Sequence, residues 1–346
     1  MMPTIMMIMN GLSLAIYWIG AVLINDAQDM QEKFTLFSDM VVFSSYAMQV
    51  VMSFMMLVMI FIMLPRASVA AKRILEVLDT EPSIEDGTRD TFPVMKDGEV
   101  EFKDVSFKYP DAEEYVLEHI SFSAKKGETI AFIGATGCGK STAINLIPRF
   151  YDATEGEVFV DGVNVKEYTQ EALHNKIGYV SQKAILFSGT IADNVAYGEN
   201  GKAPATQDDI AMAVKVAQAS EFVEKKDQGY DGYVAQGGSN FSGGQKQRLS
   251  IARAIARQPE ILIFDDSFSA LDYKTDRILR EALRKECKDA TKIIVAQRIG
   301  TIRDADKIIV LDDGQIAGMG THDELMKNCE VYQEIAYSQL SKEELA

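Results

Sequence analysis

The first 25 residues contain no charged side chain, and neither does the run from Met40 to Pro65. Each run exceeds the ~20 residues that carry an α-helix across a ~30 Å hydrocarbon core at ~1.5 Å per residue. A buried helix of a soluble protein seldom reaches this length without a charge. The first run also lacks the basic start and small-x-small site of a cleaved leader. Residues 1–25 and 40–65 are therefore read as two transmembrane α-helices in a lipid bilayer. Between them DAQDMQEKFTLFSD is acidic, whereas Arg66, Lys72 and Arg73 follow the second run at once. The positive-inside rule places that connection outside and everything after residue 65 in the cytoplasm, a multi-pass plasma-membrane topology.

Composition divides at the same place. Thirteen of the 17 methionines lie in residues 1–63, where they read as filler for irregular apolar packing. Residues 1–64 carry −3 of the net −16, which leaves an acidic cytoplasmic part and argues against a nucleic-acid partner. Cys138, Cys287 and Cys329 form no CxxC pair, as expected in a reducing compartment. His119, His174 and His322 have no metal-ligand spacing. The amphipathic VAAKRILEVL extends the membrane part over residues 66–80, giving a first domain of 1–80. Residues 81–97, with Pro82, Gly87 and Pro93 among charges, read as a linker to a domain over 98–346. The acidic end SKEELA reads as a solvated tail.

In the second domain a short apolar strand, Ile130 to Ile133, runs into Gly134-Ala135-Thr136-Gly137-Cys138-Gly139-Lys140-Ser141-Thr142 and then a helical pattern. This is G-x-x-x-x-G-K-[ST], an α/β P-loop NTPase signature. Glycines let successive N–H groups turn inward around a β-phosphate at a helix N-terminus. Lys140 reaches the β- and γ-phosphates, and the Ser141 hydroxyl can ligate Mg²⁺. Cys138 reads as a small filler residue, since the backbone does the binding. A second apolar strand, Ile261 to Phe264, delivers Asp265 for the metal's water shell.

Upstream of that strand stands Phe241-Ser242-Gly243-Gly244-Gln245, which resembles the LSGGQ signature of ABC ATPases. The other motifs follow in that family's order over residues ~98–340. Tyr109 resembles the aromatic residue that stacks on adenine, and Gln182 the Q-loop glutamine that senses Mg²⁺. Ser269-Ala270-Leu271-Asp272 resembles the D-loop, and IIVAQRIGTI the switch-histidine segment. The resemblance is to ABC transporters of exporter type and implies a RecA-like core with a helical subdomain at ~180–255. It implies ATP and Mg²⁺ as ligands, the metal being held through Ser141, Gln182 and Asp265. It also implies a second half-transporter bound head to tail, so that Ser242, Gly243 and Gly244 serve the partner's nucleotide. Exporter halves normally have six membrane helices, so the two here resemble the last two. The chain then reads as a C-terminal fragment or a truncated gene product.

Three positions depart from the family's pattern. Asp266 stands where a catalytic glutamate is usual, Gln297 where the switch histidine is usual, and Gln236 in place of a glutamate before the signature. With the P-loop intact, this implies a degenerate site that binds ATP and hydrolyses it poorly. That is the pattern of one half of a heterodimeric multidrug-type exporter, with a slow homodimer as the alternative. A non-catalytic regulatory or structural membrane subunit, or a non-transporting fragment, are the remaining readings. A DNA-repair or translation ABC ATPase would lack the membrane helices, and a P-loop kinase would not need FSGGQ. The sequence does not encode which substrate is transported.

Overall fold

A computed structural model describes residues 2–90 and 97–339, in two units that divide between Ser83 and Ile84. The first unit is a helix pair, α1 (Met2–Asp26) and α2 (Met30–Leu78). Both are long and apolar enough to cross a membrane, and their most apolar windows are 6% and 0% buried. Trp18, Phe54 and Phe61 are among the large side chains they expose. Helices apolar on every side need an apolar solvent, so these are membrane helices rather than core helices. At their contact, Gly20 leaves room for the Met40 thioether, which an added Cβ would meet at 2.2 Å.

The connection between the helices is shorter than expected. Residues 26–39 read as an acidic loop with the second helix starting near 40, whereas only Ala27–Asp29 lie outside the helices. Charge reports the solvent around a segment, not its backbone conformation. Gln31, Glu32 and Lys33 are good helix formers, and Glu32 sits in the first turn, where the helix dipole favours an anion. α2 then continues through Pro65 to Leu78 without interruption. Its 49 residues make a rod of ~74 Å, more than twice a bilayer core.

The second unit begins with β1 (Val100–Phe107), β2 (Leu117–Ala124) and β3 (Thr129–Ile133), then α3 (Lys140–Asn145). β4 (Glu155–Val160), β5 (Val163–Asn164), α4 (Gln170–Lys176) and β6 (Ile177–Val180) follow. Between β6 and the next long strand the chain is mostly helical: β7 (Gly189–Thr190), α5 (Ile191–Val195), α6 (Gln207–Val216), α7 (Ser220–Glu224), β8 (Tyr233–Val234) and α8 (Gly243–Ala256). It ends with β9 (Ile261–Asp265), α9 (Tyr273–Glu286), β10 (Thr291–Val295), α10 (Ile299–Ile302), β11 (Lys307–Asp312), β12 (Gln315–Gly320), α11 (His322–Asn328) and α12 (Glu330–Gln339).

The main sheet has the order β12-β11-β3-β10-β9-β6, parallel except for the edge pair β11–β12. A second, antiparallel sheet has the order β2-β1-β4-β5. Strand alternation divides the interior in two. Ile130, Phe132, Ile261, Ile263, Ile293 and Val295 face a core shared with the antiparallel sheet. Ala131, Ile133, Leu262, Phe264 and Ile294 face a core shared with the helical segment. A sheet covered on both faces favours continuous apolar runs, and Ile130–Ile133, Ile261–Phe264 and Ile293–Val295 are such runs.

Part of the expected linker is not a free tether. Gly87 N–H donates to the Tyr168 carbonyl at 3.1 Å, and Asp86 accepts from Gln170 N–H at 2.6 Å. A Cβ at Gly87 would lie 2.1 Å from that carbonyl, so only glycine permits this approach. The Asp86 carboxylate satisfies an amide at the N-terminus of α4, which no sequence pattern announces. Pro93 and the rest of 91–96, and the tail SKEELA, lie outside the described residues.

Thr291, fully buried, ties three segments together. Its Oγ1 donates towards Gly98 O (2.5 Å) and Lys125 O (3.1 Å), and accepts from Gly127 N–H (3.2 Å). Replacement by valine keeps the shape and removes the partner of Gly98 O and Gly127 N–H, while Lys125 O keeps Glu128 N–H at 3.0 Å. Thr291→Val should lower unfolding stability by ~1–3 kcal/mol, read as a reduced denaturant midpoint with an unchanged slope.

Candidate functional site

Four adjacent parallel strands end side by side and each releases one part of the site. β3 runs into the P-loop, β9 ends in Asp265 and Asp266, β10 leads to Gln297, and β6 leads to Gln182. Their register pairs Val295 with Phe132 and with Asp265, and Val180 with Phe264. The carboxyl ends of parallel strands are where open α/β sheets place ligands.

Gly134, Gly137 and Gly139 all have positive φ (152°, 90° and 94°). At Gly134 a Cβ would lie 2.0 Å from the Leu311 carbonyl oxygen, so the loop cannot leave β3 with any side chain at this position. The buried Lys140 ammonium donates to Gly134 O (2.8 Å) and Ala135 O (2.6 Å), folding the side chain across the loop. Cys138 is buried, with its sulfur 3.5 Å from the same ammonium. Ser141, in the first turn of α3, donates to Asp265 Oδ1 at 2.7 Å. Tyr109 shares a hydrogen bond with Thr142 (3.0 Å), and its ring stands edge-on to Tyr151, with centroids 5.2 Å apart.

Tyr179 O–H donates to Asn145 Oδ1 (2.9 Å) and towards Asp265 Oδ2 (3.4 Å). Burial raises the Asp265 carboxyl above its ordinary range, while the Ser141 and Tyr179 hydroxyls favour its ionised form and hold it back. Burial, together with the neighbouring Asp265, pushes the Tyr179 phenol well up, so it stays a donor. The buried Asp266 has φ 44°, a left-handed conformation that turns its side chain away from the strand direction. Its Oδ2 accepts from two amides, Gln297 Nε2 at 2.8 Å and Gln182 Nε2 at 3.2 Å. The structure thus brings Gln182, Asp266 and Gln297 onto one oxygen, beside the Ser141–Asp265 pair.

The signature residues make a separate group. Ser242 caps α8 in a reciprocal capping box, its hydroxyl accepting from Gln245 N–H (3.3 Å) and Gln245 Oε1 accepting from Ser242 N–H (3.0 Å). Phe241 anchors them, buried under Lys226, whose ammonium is 4.4 Å from the ring centre. Gly244 passes close to the D-loop, where a Cβ would be 3.2 Å from Ala270 O. Ser269 Oγ donates to Asp266 O at 2.8 Å, and Asp272 caps α9. Gln236 opens a short 3₁₀ turn, Gln236–Gly238.

Several side chains had no motif to announce them. Tyr151 and Tyr179 sit on the P-loop side of the sheet. Gln247, buried in α8, donates to Ser181 O (3.2 Å) beside Gln182. The Arg298 guanidinium points at Ser269 O at 3.3 Å. Elsewhere, the stacked rings of Phe187 and Tyr197 (4.5 Å) join Phe150, Tyr179 and Arg253 in a groove of about 350 Å³. The histidines are engaged locally: His119 with Asp104, His174 with the Pro148 carbonyl, His322 with the Tyr332 hydroxyl.

A glycine loop wrapped at the end of a central parallel strand, beside a strand-end carboxylate and a capped signature helix, defines a P-loop nucleotide-binding domain of the ABC kind. The ABC transporter family pattern matches residues 117–269, and this nucleotide-binding domain belongs to that family. It is 44% identical over 340 residues to an uncharacterized ABC transporter ATP-binding protein of Mycobacterium tuberculosis, covering 98% of this chain and 57% of the relative. An ATP-dependent lipid A-core flippase of Haemophilus influenzae is 42% identical over 276 residues, covering 80% of this chain and 46% of that protein. A bacterial Atm1-family ABC exporter solved with ATP bound superposes with a TM-score of 0.77 at 33% identity, covering 88% of this chain and 53% of that one. The chain thus spans about half the length of these relatives. It joins two helices long and apolar enough to cross a membrane to an ATP-binding domain.

Gly134→Ala must strain the loop or move Leu311. It should lower stability by ~1–3 kcal/mol from the backbone alone, measurable as a depressed melting temperature.

Proposed function

We propose that this chain works in an ABC exporter as the half whose own nucleotide site binds Mg²⁺-ATP and turns it over slowly. The P-loop amides and Lys140 hold the phosphates, Tyr109 and Tyr151 supply aromatic surface for the adenine, and Thr142 adds a hydroxyl at the start of α3. Ser141 and Asp265 suit Mg²⁺, being hard oxygen donors already within hydrogen-bond distance of each other. Bound there, Mg²⁺ would offset phosphate charge, with Gln182 beside it.

The observation that carries the slow-turnover reading is the Asp266 carboxylate with two amides on one oxygen. A general base needs a free acceptor aimed at water. Here Gln297 and Gln182 occupy Oδ2. Compared with glutamate, the carboxylate is also retracted by one methylene, and misplacement on the order of 1 Å can cost ~10²-fold. Gln297 donates a hydrogen bond and never becomes a cation, so it offers less to a developing charge than an imidazolium. The signature helix, with Gly243 and Gly244 at its N-terminus, serves the site of a second half-transporter, a different chain with an intact hydrolytic pair. Two such halves bound head to tail would couple ATP binding and hydrolysis to export across the bilayer.

Lys140→Ala should weaken ATP binding at least ~10-fold, read by equilibrium dialysis, by removing a charge-assisted contact. Asp266→Glu with Gln297→His should raise hydrolysis at this site by ~10-fold or more without changing ATP affinity. Full turnover by the unmodified chain purified alone, or no gain from the double substitution, would count against the reading.

A further inference from the structure

The C-terminal helix reaches the switch segment through one side chain. On α12, Tyr332 and Ala336 are fully buried, and Gln339 follows them at the i, i+4, i+7 spacing of one helix face. The Gln339 amide closes a two-point clamp: Nε2 donates to the Gln297 carbonyl at 2.7 Å, and Oε1 accepts from Ile299 N–H at 2.9 Å. Ile299 is the first residue of α10, so the clamp also satisfies an amide that the helix itself leaves unpaired. Between the two clamped groups lies Arg298, whose guanidinium points at the D-loop carbonyl of Ser269 at 3.3 Å. Beyond them, Gln297 Nε2 holds Asp266. Thr301, later in α10, donates to the buried Asp276 of α9 at 3.2 Å, which fixes the far end of the same segment.

From this geometry we infer that Gln339 is a positioning residue for hydrolysis, setting the backbone from which Gln297 reaches Asp266. It touches neither nucleotide nor water; it acts through the 297–299 backbone. An amide is the fitting group because one end must donate and the other accept, and Gln339 does both in a single planar unit. The inference rests on reading Gln297 and Asp266 as the hydrolytic pair. It makes the end of α12 a point from which the switch segment can be released or held.

The test uses the full chain in lipid nanodiscs, with Gln339→Ala and Gln339→Glu made in the unmodified chain and in the Asp266→Glu, Gln297→His chain. Gln339→Ala should speed hydrogen exchange at the Ile299 amide about fivefold, the worth of one neutral hydrogen bond. Gln339→Glu, which keeps the acceptor and loses the donor, should leave that exchange near its original rate. In the Asp266→Glu, Gln297→His chain, Gln339→Ala should lower kcat for ATP by a similar factor with KM unchanged, whereas in the unmodified chain, where Gln297 occupies Asp266, kcat should not fall. Unchanged exchange at Ile299, or kcat equal with and without Gln339 in both chains, would overturn the inference. So would a parallel loss of kcat, KM and melting temperature, which marks a purely structural contact. The slow-turnover reading is judged separately, by comparing the two chains with Gln339 intact. Absence of measurable turnover in both chains would also overturn the inference, since there is then no hydrolysis for Gln339 to position.

Discussion

The parallel register of β6, β9, β10 and β3 is the constraint on which the rest depends. Each strand delivers its part of the site from a different stretch of the sequence. Gln182, Asp265, Asp266 and Gln297 meet because strands paired residue by residue must end at one level. That pairing is held by apolar side chains on both faces, so the site is anchored in two cores at once. A slip of one residue in β9 would exchange Ile263 and Phe264 between faces and carry Asp265 away from Ser141. Burial of the sheet thus supplies both stability and the register of the site.

Much of this was legible in the sequence, for a physical reason. The P-loop is readable because its glycines answer to backbone geometry: Gly134, Gly137 and Gly139 all have positive φ, which other residues rarely adopt. The buried strands β3 and β9 are readable because a sheet covered on both faces favours continuous apolar runs. The signature is readable because a capping box needs Ser and Gln three residues apart. Other contacts were not legible. Tyr179, Gln247, Arg298 and Gln339 reach across sequence separations of 29 to 86 residues, through one or two hydrogen bonds each that impose no local spacing. The two amides on Asp266 belong with these. Sequence names the three residues and the substitutions among them, but only the fold puts both donors on the same oxygen.

The membrane part shows where pattern reading fails in the opposite way. Hydropathy located the apolar runs well, because the cost of a charge in hydrocarbon is large. It then assigned the charged stretch between them to a loop, since charge and loop usually coincide. Helix α2 separates the two: Glu32, Lys33 and Asp39 are charged and helical at once. The strap at Asp86–Gly87 errs likewise, because Pro and Gly content described a linker while one carboxylate and one missing Cβ packed it down.

The continuous α2 has a mechanical consequence. A rod of ~74 Å that tilts by about 5° around its midpoint displaces each end by ~3 Å, enough to break a hydrogen bond. Such a rod transmits rotation faithfully only while it stays stiff. Pro65 lies 13 residues, or ~20 Å, before the end at Leu78, and there the helix lacks one of its internal hydrogen bonds. Bending is cheapest at that point, so Pro65 divides the lever into a long stiff arm and a short compliant one.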